Sequence, residues 1–97
     1  MELQWTAEAI RDREAIYDYI EADNPDAALV LDELLAEKTS YLVDHPGLGR
    51  RGRVDGTREL VAHQNYIVVY DVTGDAVRVL RVLHAAGQWP PGNDQQR

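Results

Sequence analysis

The chain has 97 residues, no cysteine and a net charge of −7. That length fits one domain, and the lack of cysteine excludes a disulfide framework and thiolate chemistry. The overall field excludes attraction to nucleic acid by net charge alone. The charge is uneven, however: residues 1–44 carry three basic and twelve acidic residues, and residues 45–97 carry seven arginines and five acids.

The opening "MELQW" alternates apolar and polar residues, with Leu3 and Trp5 on one side, and reads as a short strand. It lacks the basic and apolar segments of a signal peptide, and no apolar run approaches a membrane span. A cytoplasmic location with no membrane partner is the expectation. Thr6 suits a helix N-cap. From Ala7 to Glu21, Ile10, Ile16, Tyr17 and Ile20 recur at helical spacing. Asn24 and Pro25 then suit the N-cap and first position of a second helix. It runs to about Val43, with Ala27, Leu31, Leu34, Leu35, Tyr41 and Leu42 as its inner stripe. The short link makes the two an antiparallel hairpin.

The glycine-rich "DHPGLGRRGRVDG" holds Arg50, Arg51 and Arg53 and predicts a loop with no regular element. Strands follow at residues 57–63, 66–72 and 76 to about 84, with "HQN" and "TGD" as hairpin links. After His84 the chain becomes turn-rich, then polar. One domain over residues 1–91 and a disordered tail over 92–97 are expected. The order β-α-α-β-β-β predicts an α+β fold, with the helix pair on one face of a small antiparallel sheet and the other face partly open. The open face and the glycine loop are the natural working surfaces.

Chemistry has few carriers here. No glycine loop precedes a lysine, and His45, His63 and His84 lie on different elements, so neither a metal nor a cofactor is expected. Ser40 and the threonines sit in helix, cap and turn contexts. What remains is arginine with histidine: Arg58, Arg78, Arg81 and His84 beside the loop arginines. Guanidinium forks suit phosphates and carboxylates alike, and a histidine beside them can move a proton near neutral pH. The set therefore suits phosphodiester cleavage and an acidic protein partner equally. Strict alternation puts Val77, Val79, Arg81 and Leu83 on one face of the last strand, and Arg78, Leu80, Val82 and His84 on the other. Trp89, followed by Pro90 and Pro91, reads as an aromatic that folds over a core edge.

Taken in order, "MELQWT", the two helices, "HPGLGR", "GTREL", "YIVVYDV" and "RVLRVLHAAGQW" resemble the RelE/ParE superfamily of type II toxin–antitoxin toxins, over nearly the whole chain. The resemblance implies a helical hairpin on a small antiparallel sheet, a cognate antitoxin as partner, and one of two activities. The ParE-like branch, associated with plasmid stabilisation, binds DNA gyrase; there Arg50, Arg51, Arg53 and Trp89 are the candidate contacts. The RelE/YoeB-like branch is a ribosome-dependent mRNA endonuclease that needs no metal; there Arg58 and Arg81 would hold the phosphate and transition-state charge, and His84 would act as acid or base. Ile67 stands where the nuclease branch usually carries a phosphate-holding arginine. The ParE-like reading is preferred and the mRNA interferase is the alternative, so enzymatic activity is left open.

Overall fold

The structure, a computed structural model, describes residues 1–87. Two caps start its helices. The Thr6 hydroxyl accepts the Ala9 N–H at 3.1 Å and donates to the Leu80 carbonyl at 2.9 Å, so this cap also ties α1 (Ala7–Glu21) to the last strand. The Asn24 side chain accepts the Ala27 N–H at 3.1 Å and Pro25 opens α2 (Pro25–Tyr41). The expected hairpin forms. The inner face of α2 is Ala28, Leu31, Leu35 and Thr39, with Leu42 just beyond its end. Tyr41, expected inside, is 51% exposed, and Ala27 is exposed as well.

Five strands form one sheet: β1 (Glu2–Trp5), β2 (Arg50–Arg51), β3 (Arg58–His63), β4 (Tyr66–Thr73) and β5 (Ala76–His84), in spatial order β1-β5-β4-β3-β2. Two features depart from the expectation. The arginine loop contributes β2, which pairs antiparallel with β3 through Arg50↔Glu59 and Arg51↔Arg58. The sheet is also mixed, because β1 runs parallel to β5 from Glu2↔Ala76 to Trp5↔Val79. The other pairings are antiparallel.

The register of β4 on β5 corrects the alternation read from the sequence. Tyr70 pairs with Val79 and Val69 with Arg81, so Leu80 is an extra residue, a β-bulge. The bulge shifts the parity. Val82, not Arg81, continues the buried face of Val77 and Val79.

The helix-side core joins Ala9, Leu31 and Leu35 to Ala62, Val68, Val79 and Val82, with Leu3, Trp5, Ile16 and Ile20 at its margin. A second cluster holds Leu42, Tyr70 and Val77. By alternation along β4, Ile67 and Val69 lie on the opposite face, and both are buried. Trp89, expected to clasp a core edge, and the 92–97 tail lie outside the described residues. Among the described residues, no helix is long and apolar enough to cross a membrane.

Candidate functional site

Parallel pairing with β1 stops at Val79, so the second half of β5 presents an edge that no strand covers. The α1 helix lies along that edge, and Asp12 fills the gap. Its carboxylate accepts Arg81 Nε at 2.7 Å, Arg81 Nη2 at 3.0 Å and the Val82 N–H at 3.0 Å. One side chain thereby satisfies an edge amide and holds the guanidinium in a two-point grip. The side-chain hydrogen bonds to Asp12 raise the Arg81 pKa. Burial opposes them, and the charges of Asp12 and Glu8 add to the rise.

Beside this pair lies an open groove of about 560 Å³, lined by Ile16 and Tyr19 of α1, Tyr66 of β4, and Arg81, Leu83 and His84 of β5. Arg81 and His84 therefore meet in one groove although they lie three residues apart on a strand. Tyr66 packs edge-on to the His84 ring, with centroids 5.3 Å apart. His84 Nδ1 accepts the Ala86 N–H at 3.0 Å. That bond assigns the proton of the neutral ring to Nε2, so the free nitrogen is a donor.

Arg58 lies elsewhere. It pairs with Tyr70 in register, whereas His84 pairs with Tyr66. Four residues along β4 and two strand spacings put Arg58 and His84 about 16 Å apart. The Arg58 guanidinium donates to the Gly49 carbonyl at 2.7 Å and more weakly to that of Gly47 at 3.4 Å. It thereby props the loop that precedes β2.

That loop is anchored from below by Tyr70. The buried phenol donates to the Pro46 carbonyl at 2.7 Å and accepts the Gly49 N–H at 2.8 Å. A Cβ on Gly49 would stand 2.8 Å from the Tyr70 ring and 2.9 Å from the Glu59 carbonyl. Only glycine brings the backbone this close.

The loop arginines split. Arg50 and Arg53 converge on Glu59, which is 2% exposed. The Arg53 N–H reaches Glu59 Oε2 at 3.0 Å, and the Arg50 and Arg53 side chains lie within 3.3 Å of the carboxylate. Burial pushes the Glu59 carboxyl up. The Arg53 backbone bond, the Arg53 charge and the two arginine side-chain bonds outweigh burial and hold it below its ordinary value. Arg51 is exposed and has no side-chain partner among the described residues.

The other broad depression, about 520 Å³, runs along the outer side of α1 over Trp5, Ile10 and Tyr17, with Glu14 and Asp18 on its rim. Arg13 braces its floor. It grips Asp32 of α2 at 2.6 and 3.0 Å, and its guanidinium carbon stands 5.0 Å over the Trp5 ring. Among the described residues, no three histidine or acidic side chains gather as a metal site would require.

Asp12, Glu59 and Tyr70 were not singled out in the sequence. Asp12 is one acid of many on an amphipathic helix. Glu59 carried a usable signal: one acid between apolar strand residues, just after a loop with three arginines.

The sequence matches the family model described as the ParE toxin of the type II toxin–antitoxin system parDE, over residues 3–89. It is 42% identical over 89 residues to the toxin candidate Y4kP of Sinorhizobium fredii, covering 91% of this chain and 92% of that one. It is 35% identical over 82 residues to toxin RelE2 of Caulobacter vibrioides, covering 84% and 92%. Among solved structures it is similar to a chromosomal ParDE system from P. aeruginosa, with a TM-score of 0.79, 31% identity and 87% and 95% coverage. YafQ of E. coli shares the fold, with a TM-score of 0.59 at 15% identity, over 88% of this chain and 93% of that one. The chain belongs to the ParE toxin family of type II toxin–antitoxin systems.

Proposed function

We propose that this toxin acts by binding DNA gyrase rather than by cutting RNA, and that a cognate antitoxin neutralises it. The observation that carries this reading is the grip of Asp12 on Arg81. An arginine that stabilises a scissile phosphate must offer its fork to the substrate. Here the Nε and Nη2 donors go to a carboxylate, and Arg58 holds loop carbonyls about 16 Å from His84. The net charge of −7 also opposes docking into an RNA-walled site. On the gyrase side, exposed Arg51, with Arg50 and Arg53 beside it, offers a cationic contact surface, and Trp89 is a further candidate contact.

The antitoxin reading is supported by the P. aeruginosa relative, a ParDE system. The apolar depression over Trp5, Ile10 and Tyr17, rimmed by Glu14 and Asp18, suits an amphipathic helix with apolar and basic residues.

One observation favours the nuclease alternative: Arg81, His84 and Tyr66 share a groove, and His84 Nε2 would donate to a leaving oxygen there. Two assays on the purified chain separate the readings. Inhibited gyrase supercoiling with intact translated mRNA supports gyrase binding. Codon-linked mRNA cleavage that disappears in His84→Ala would overturn it.

A further inference from the structure

The outer edge of β3 is half covered. β2 pairs with Glu59 and Arg58 and then ends, leaving the strand open from Leu60 onward. The Gly52 N–H bonds the Thr57 carbonyl across this edge at 2.8 Å. By the alternation of an antiparallel ladder, Thr57, Glu59 and Val61 turn their backbone groups outward, and Leu60 turns its toward β4. Thr57 and Glu59 meet the loop and β2. Val61 meets nothing among the described residues, so its N–H and carbonyl stand open at the sheet edge.

The surroundings of Val61 are shaped for more than water. Its side chain is 52% exposed, and Leu48 is 57% exposed beside it. Together with Tyr41, Lys38 and Arg50 they line a shallow hollow of about 380 Å³ where β2 stops. The hollow is positive in a negative protein. Lys38, Arg50 and Arg53 meet one carboxylate there, the buried Glu59. Long open strand edges are normally blunted in proteins; this one carries apolar side chains and a free backbone donor and acceptor.

We propose that the β3 edge at Val61 is a docking site for an extended acidic and apolar segment of the antitoxin, added as a strand that continues the line of β2. The proposal rests on the antitoxin reading above. Backbone bonds to Val61 would fix the register, Leu48 and Tyr41 would take alternate apolar side chains, and Lys38 and Arg50 would take acidic ones. A second copy of this chain fits poorly. Edge-to-edge pairing of two β3 strands would bring both cationic clusters together.

The test uses the full chain co-expressed with the product of the small gene beside its own, with complex formation read by size exclusion and light scattering. No complex overturns the antitoxin reading and this proposal with it. In a complex, amide exchange read by NMR should slow at Val61 by at least tenfold relative to the free chain. Val61→Pro removes the outward donor without touching the β4 ladder and should weaken binding at least tenfold. Val61→Thr, which keeps the donor, should stay within threefold. Lys38→Glu should also weaken binding. A complex that forms equally well with Val61→Pro, folded by thermal melt, and leaves Val61 exchange unchanged overturns the docking site alone. A free chain that is a dimer, and a monomer as Val61→Pro, would assign the edge to a second copy and overturn the proposal.

Discussion

Asp12 and Arg81 form a two-point ion pair at 2.7 and 3.0 Å, and the same carboxylate takes the Val82 N–H. The pair joins α1 to the part of β5 that no neighbouring strand covers. Asp12→Ala leaves a guanidinium and an edge amide without their acceptor. The side chains are 29% and 17% exposed, so water recovers part of the loss. We expect about 2 kcal/mol of destabilisation for Asp12→Ala and about 1 kcal/mol for Asp12→Asn, whose amide oxygen still accepts the Val82 N–H. Urea midpoints of the two variants check this, and equal midpoints would show that the Val82 bond adds nothing.

The Tyr70 hydroxyl is the internal anchor of the loop that carries Arg50, Arg51 and Arg53. Tyr70→Phe keeps the packing and strands a buried Gly49 N–H and a Pro46 carbonyl, so about 1–3 kcal/mol should be lost. Gly49→Ala forces a methyl against the same ring and the Glu59 carbonyl. It should cost about 1–3 kcal/mol through overpacking. Both variants should raise amide exchange in residues 47–53 more than in β4. Uniform exchange across the sheet would instead mean that the loop has no anchor of its own.

Most of the scaffold is legible in the residues because its signals are periodic or chemical. Thr6 and Asn24 cap where their side chains predict, and the alternation of β4 gives its bounds nearly to the residue. The site is less legible. β2 is two residues long, so it has no period to detect, and it exists only because β3 lies beside it. The bulge at Leu80 carries no glycine or proline to mark it, yet it decides that Val82 rather than Arg81 enters the core. The meeting of Arg81 and His84 in one groove follows from β1 ending at Val79, a long-range fact that no local pattern in "RVLH" contains.

Glu59 gives the fold a pH dependence of predictable sign. Its folded pKa lies below the ordinary value of 4.5. A depressed carboxylate pKa stabilises the fold at pH values above the unfolded value and loses that contribution as pH falls through the folded value. Glu59→Gln should therefore be less stable than the natural chain at pH 7, with a gap that is constant above about pH 5.5 and narrows as pH falls below the ordinary carboxylate range. Urea midpoints from pH 7 down to pH 3 for both chains test this. A gap that widens on acidification would contradict the assignment.

The depression on α1 can be tested apart from the β3 edge. Ile10 is 45% exposed and lies on the first half of the helix, over the hollow it shares with Trp5 and Tyr17. Ile10→Asp therefore removes little buried surface, and a carboxylate near a helix N-terminus is not opposed by the helix dipole. Its thermal midpoint should stay within a few degrees of the natural chain. If an antitoxin helix seats an apolar side chain in this hollow, the new charge must be desolvated against it, and binding should weaken at least tenfold. Ile10→Lys reverses the charge while removing the same apolar group. A loss in both variants marks an apolar contact. A loss confined to Ile10→Lys marks recognition of the acidic rim by a basic helix, and unchanged binding in both removes this face from the interface.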